Sequence, residues 1–231
     1  MDIGPINTMI SSNYIDGLRL RASAQTTANL NPHLFFKGYY AYGFKDHRSK
    51  GMAEVEYSFN KKEYLPREFP KNSITGTFLY DVMAPTDKFL KTDKDNVFTS
   101  FKTTTVDQMM YVRNISLKYE LETEYGLKTT IQLKNTNDEP TGKLVYMRND
   151  DAKTIVPDIT TSEASLTFRY APGETFINTK QRRIPVSFDA PVFTLSHTSG
   201  FKGVLGGDYN YNLTELGIYK RFWFSSWGKI D

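Results

Sequence analysis

The stretch Ile115-Ser116-Leu117-Lys118-Tyr119-Glu120-Leu121-Glu122-Thr123-Glu124-Tyr125 decides the fold class. Ile115, Leu117, Tyr119, Leu121, Thr123 and Tyr125 alternate with Ser116, Lys118, Glu120, Glu122 and Glu124. Successive side chains of a β-strand point to opposite faces, so this is a strand with one apolar and one charged face. Continued back to Met109, it would be about 55 Å long at ~3.3 Å per residue. Strands of soluble sandwiches usually hold only about 5 to 6 residues.

The same alternation runs along most of the chain. Leu18, Leu20, Ala22 and Ala24 oppose Arg19, Arg21, Ser23 and Gln25, and Ala53, Val55, Tyr57 and Phe59 oppose Glu54, Glu56 and Ser58. Leu127, Thr129, Ile131 and Leu133 face away from Lys128, Thr130, Gln132 and Lys134, and Ala164, Leu166, Phe168 and Tyr170 from Glu163, Ser165, Thr167 and Arg169. Further strands are expected near Leu34–Lys45, Ile74–Val82, Lys143–Arg148, Val192–His197 and Tyr209–Phe224. Turn-formers separate them: Asn29-Leu30-Asn31-Pro32, Lys45-Asp46-His47-Arg48, Gly126, Asn135 to Gly142, Ala171-Pro172-Gly173 and Gly206-Gly207-Asp208. No segment holds an i, i+3, i+4 apolar spacing over three turns. The pattern predicts an all-β antiparallel meander of about ten long strands over residues 1–231. The loop from Pro85 to Thr105, rich in Asp and Lys, is expected to be solvent-exposed and mobile.

Composition narrows the function classes. The 231 residues carry a net charge of only +3 with both signs interspersed, which does not suit a nucleic-acid partner. Aromatics make up 14% of the chain, too many for a disordered polypeptide. With no Cys, there is no disulfide framework, thiolate catalysis or Cys-ligated metal. No run approaches the roughly 18 apolar residues of a membrane-spanning helix, a test to which membrane β-barrels are indifferent. The opening Met1-Asp2-Ile3-Gly4-Pro5 lacks the regions of a signal peptide, so the chain is read either as cytoplasmic or as an excerpt of a longer exported protein.

Two architectures fit long alternating strands. In a membrane barrel the apolar face meets lipid, the charged face lines a wet lumen, and aromatics form interfacial girdles. Tyr39, Tyr40, Tyr42, Tyr209, Tyr211, Tyr219, Phe222, Trp223 and Phe224 are the girdle candidates. In a soluble barrel or sandwich the same aromatics would fill a core and bind a ligand.

Catalytic and metal signals are weak. His33, His47 and His197 stand apart from any zinc-binding spacing. Ser196, His197, Ser199 and Asp189 include the types a serine hydrolase needs, but strand neighbours point apart and no Gly-x-Ser-x-Gly elbow accompanies them. Asp93-Lys94-Asp95-Asn96 opens like a calcium loop, yet Phe98 and Thr104 occupy the positions needing Gly and Glu. Gly200, Gly203, Gly206 and Gly207 read as turn glycines rather than a phosphate cradle. No catalytic residue, metal or cofactor is expected. Glu120, Glu122 and Glu124, on one face with Lys118 and across the Gly126 turn from Lys128, Thr130, Gln132 and Lys134, fit either a charged lumen wall or a simply solvated face.

Several blocks resemble a known family. Gly17-Leu18-Arg19-Leu20-Arg21, Gly38-Tyr39-Tyr40-Ala41-Tyr42-Gly43 with Asp46, Tyr57-Ser58-Phe59, Leu65-Pro66-Arg67 and Arg169-Tyr170-Ala171-Pro172-Gly173-Glu174 resemble blocks of an outer-membrane family of Bacteroidota. Its full-length members place an exported carboxypeptidase-regulatory-like domain before a barrel similar to Omp85 surface antigens. The resemblance implies that residues 1–231 are one incomplete domain of a transmembrane β-barrel, a non-enzymatic segment in the bacterial outer membrane serving envelope biogenesis, export or surface binding. The implied partners are outer-membrane lipid, other envelope proteins and the parts of its own barrel that this chain lacks.

Overall fold

The computed structural model describes residues 1–89, 106–149, 152–179, 183–186, 190–224 and 228–230. Its first strands are β1 (Asp2–Ile3), β2 (Ile10–Asn13), β3 (Gly17–Gln25), β4 (Leu34–Gly43), β5 (Ser49–Ser58), β6 (Asn72–Met83), β7 (Gln108–Glu122) and β8 (Leu127–Gly142). They are followed by β9 (Tyr146–Met147), β10 (Ile155–Val156), β11 (Ile159–Tyr170), β12 (Phe176–Asn178), β13 (Arg183–Pro185), β14 (Val192–Gly200), β15 (Tyr211–Tyr219), β16 (Phe222–Trp223) and β17 (Lys229–Ile230). Helix is limited to short 3-10 turns, Ile6–Thr8, Pro85–Phe89 and Val204–Gly206. No helix among the described residues is long and apolar enough to cross a membrane.

One antiparallel sheet in the order β1-β3-β4-β5-β6-β7-β8-β11-β14-β15 dominates, with β2 also on β3, and β9–β10, β12–β13 and β16–β17 form small hairpins outside it. The sheet is the expected meander of long strands. Pairing of β15 with the β1–β3 end is absent among the described residues, so the sheet is open there.

Four expectations are corrected: β7 stops at Glu122, short of Thr123 to Tyr125, and of the strand expected near Lys143–Arg148 only Tyr146–Met147 is strand, in a hairpin with β10 outside the main sheet. Asn135 to Gly142 is no turn but the second half of β8, paired residue for residue with Gln108 to Ile115. Its polar side chains bond across strands, as when Asn137 Nδ2 donates to Thr160 Oγ1 at 2.9 Å. Pro140 is tolerated because it lies past Asp138, the last β8 residue that β11 reaches, so its missing N–H costs no ladder bond on that side. The expected strand at Tyr209–Phe224 is divided, since β15 ends at Tyr219 and β16 begins at Phe222. Of the Pro85–Thr105 loop, residues 90–105 lie outside the described residues, as does the Asp93-Lys94-Asp95-Asn96 segment.

The tight β7–β8 turn needs Gly126. Its φ is +82°, and a Cβ there would lie 2.2 Å from the Ala171 carbonyl oxygen. That approach places the Gly126 carbonyl to accept from Ala171 N at 2.9 Å, tying the turn to the end of β11.

Candidate functional site

Burial across this sheet is inverted relative to a water-soluble protein. The apolar members of the alternating strands are exposed, including Leu18, Leu20, Phe36, Val55, Phe78, Leu117, Leu133, Leu166 and Leu195. Their charged and hydroxylic neighbours are buried: Arg19, Lys50, Glu56, Ser73, Thr75, Asp81 and Glu120. On β7 the contrast is 52% exposure for Leu117 against 5% for Glu120. Burying charge without partners is prohibitive, so the polar face must be a connected network.

At one end of the strands that network centres on Arg19. Its guanidinium grips Asp81 through both nitrogens, at 2.7 and 3.0 Å, and meets Asp16 Oδ2 at 3.0 Å. Lys50 Nζ lies 2.5 Å from Asp16 Oδ1 and 2.6 Å from Asp46 Oδ2. Tyr39 donates to Asp81 and Tyr111 to Asp46, and Arg21 stacks on the Tyr39 ring at 3.9 Å. Burial raises the Asp46 pKa, but hydrogen bonds from Lys50 and Tyr111 outweigh it and hold the carboxyl below its ordinary value. Gly43 leaves the room, since a Cβ there would come within 2.4 Å of Asp46 Oδ1 and 2.9 Å of Lys50 Nζ. The sequence blocks around Gly17, Gly38 and Asp46 therefore converge on one charged knot.

At the other end, Lys71 Nζ lies 2.6 Å from Glu120 and 3.4 Å from Glu56, while Lys118 and Lys128 reach Glu120 at 3.0 and 2.8 Å. Arg183 pairs with Glu122 at 2.6 Å and stacks on Phe176 at 3.4 Å. Of the expected Glu–Lys cluster, Glu120 and Glu122 meet Lys118 and Lys128, Lys134 pairs with Glu163 instead, Glu124 is exposed in the turn, and Lys71, Glu56 and Arg183 join from loops or other strands. Arg169 and Glu174, from the fifth block, form a bidentate pair at 2.5 and 2.8 Å.

The outward face carries an apolar band oblique to the strand pairing. One row of paired residues runs Phe36, Val55, Gly76, Leu117, Leu133, Ala164, Ser199, Asn212, apolar at its start and polar at its end. Two rows away the order reverses, as Asn72, Leu121, Thr129, Phe168, Leu195 and Leu216 run from polar to apolar. The band climbs by about one residue per strand. With ~3.3 Å per residue and ~4.8 Å between strands, a level band then requires strands tilted by about 35°.

Where the band ends on β8 and β11, residues 201–208 fold back as a flap. Ser162 Oγ donates to the Val204 carbonyl at 2.6 Å, Asn135 Nδ2 to the Leu205 carbonyl at 3.1 Å, and Thr160 N to Asp208 Oδ2 at 2.7 Å. Gly203 and Gly206, both at positive φ, make the turn, and Leu205 is left 77% exposed at its tip.

The girdle candidates divide. Tyr40, Tyr209, Tyr219, Phe222, Trp223 and Phe224 are exposed, and Tyr42 is half-buried. Tyr39 and Tyr211 instead serve the polar face, with hydroxyls on Asp81 and Glu163, because their register pairs them with inward residues. His197 Nδ1 meets Thr214 Oγ1 at 2.8 Å and its Nε2 lies 3.3 Å from Ser199 Oγ, so among the described residues the imidazole is held by hydroxyls and not by a carboxylate. Asp189 lies outside the described residues. No cluster of three or more metal-ligating side chains occurs among the described residues.

Neither the curated proteins nor the solved structures include a match to this chain. A family of unknown function (DUF5686), through its C-terminal domain, matches residues 1–231, and the chain therefore belongs to that family.

Proposed function

We propose that this domain is a non-enzymatic segment of a bacterial outer-membrane β-barrel, placed in Bacteroidota by the sequence blocks that resemble that outer-membrane family. The observation that carries the reading is the oblique apolar band backed by a buried charged face. Outer-membrane strands tilt by about 35–45°, so a level hydrocarbon layer crosses them in staggered register. A soluble barrel tilts its strands as well but would have its apolar residues sealed inside rather than exposed on the outer face. Envelope biogenesis, export and surface binding all suit a barrel whose lumen wall is charged, and Omp85-like architecture and a preceding regulatory-like domain go with the family resemblance.

The chain has no Cys, so single cysteines at 117 through 122 in the full-length protein are read without background. A membrane-impermeant thiol reagent is expected to label 118, 120 and 122 wherever the lumen admits it. A lipid-partitioning reagent should prefer 117, 119 and 121. Equal labelling of both faces in membranes, or odd positions reached by neither reagent, would overturn the assignment.

A further inference from the structure

We propose that a cleft on the polar face, beneath the segment joining β5 to β6, binds an oxyanion of the phosphate or phosphate-ester class. The cleft has a volume of about 220 Å³, and its walls include Phe35, Lys37, Glu54, Pro66, Arg67 and Thr75. Pro66 and Arg67 belong to a segment that is held firmly over it. Glu68 accepts from the backbone N–H groups of Glu63, Tyr64 and Leu65 at 2.8 to 3.0 Å, and Lys62 Nζ donates to the carbonyls of Glu68 and Pro70 at 2.6 and 2.8 Å. Leu65 is buried beneath them.

Two features point to a ligand. Thr75 is 3% exposed, lines the cleft, and its Oγ1 has no hydrogen-bond partner. Ser73, two residues away on the same strand face, is buried with its Oγ equally unpartnered. A buried hydroxyl normally finds a partner, and in a polar cleft a bound ligand supplies one. The second feature is charge. Lys71 and Lys118 are committed to glutamates, whereas Lys37 and Arg67 form no ion pair among the described residues. Glu54, also without an ion pair, is the one uncommitted acid on the wall. Two free cations, one a planar guanidinium, together with a hydroxyl donor fit a tetrahedral oxyanion better than a neutral solute, and Glu54 would accept from a protonated oxygen or an ester hydroxyl.

The inference does not depend on the membrane reading, since the cleft and its groups exist whatever surrounds the outer face. The test is calorimetric titration of the full chain, in detergent micelles, with inorganic phosphate, acetate and glycerol 1-phosphate at matched ionic strength. Phosphate should bind saturably and acetate at least tenfold more weakly. Tighter binding of glycerol 1-phosphate than phosphate assigns the site to an ester such as a lipid headgroup, and the reverse order assigns it to the free ion. Lys37→Gln with Arg67→Gln should weaken binding at least tenfold, Thr75→Val about threefold, and Glu54→Gln should tighten it. Lys143→Gln, an exposed lysine outside the cleft paired with Asp107, should leave it unchanged. Both cation changes are at exposed positions, and far-UV circular dichroism establishes that each variant is folded. Heats of dilution only, or a double variant that binds like the parent, would overturn the proposal.

Discussion

Arg19 and Asp81, 62 residues apart in the chain, meet in a two-pronged ion pair from which water is excluded. A buried pair of this kind is a poor source of net stability, yet breaking it is costly because one charge stays behind. Arg19→Leu would take from Asp81 the guanidinium that grips it, while Asp16 keeps Lys50. The expected loss is about 3–5 kcal/mol, read as a lowered urea midpoint in heat-modifiable gel mobility. Adding Asp81→Leu to that variant should recover much of the loss, since the buried carboxylate that lost its guanidinium is then gone.

Asp46 gives the same knot a pH dependence. Its folded pKa lies below the ordinary value, so the unfolded chain binds the proton more readily. Its contribution is complete above the unfolded carboxylate pKa near 3.9 and falls away as pH drops through the lower folded value. Urea midpoints measured between about pH 6 and pH 2.5 should show an acid limb that Asp46→Asn flattens.

Leu117 and Lys118 are sequence neighbours on opposite faces. In the membrane reading Leu117→Arg costs roughly 2–4 kcal/mol if it sits near the bilayer midplane, and Lys118→Gln far less. Equilibrium unfolding in lipid vesicles checks the asymmetry, and equal costs would count against it.

Gly126→Ala combines an unfavourable positive φ with a Cβ driven into the Ala171 carbonyl. A destabilisation of about 1–3 kcal/mol is expected, with faster hydrogen exchange at Ala171, whose N–H bonds back to that turn.

Ser162→Ala removes the hydroxyl that holds the flap through Val204. Amide exchange over residues 202–207 should accelerate at least tenfold while β8 and β11 keep their protection. An unchanged flap would mean that Asn135 and Asp208 suffice to hold it.

Strand identity and facing were legible in the sequence because period two is a local property, and β3, β5, β7, β8 and β11 all alternate as read. Asn135 to Gly142 misled because Asn, Asp, Pro and Gly speak for turns only when no neighbouring strand competes for them, and here β7 does. Tyr39 misled because a tyrosine among tyrosines carries no mark of its facing, whereas its strand register does. The glutamate and lysine wall was legible on adjacent strands, but Lys71 and Arg183 reach it from segments whose placement depends on tertiary contacts. The charged knot escaped because Arg19, Lys50 and Asp81 come from three strands. Its signal was Gly43, a residue lacking a side chain where the knot needs space.

The climb of the apolar band also sets the geometry of any seam. A level band that starts on β3 at Leu18 to Ala24 and reaches β15 at Leu216 and Ile218 has advanced by about ten residues along the pairing rows. The sheet is thus a ramp, like a turn of screw thread. Strands that joined β15 back to the β1–β2 edge beside β3 would have to keep the same climb, since that offset adds to the shear of a closed barrel, so closure is a matter of matching offset as much as of supplying edge hydrogen bonds. A partner strand with good sequence but the wrong stagger would lift Leu216 out of the band or drag Ser199 and Asn212 into it.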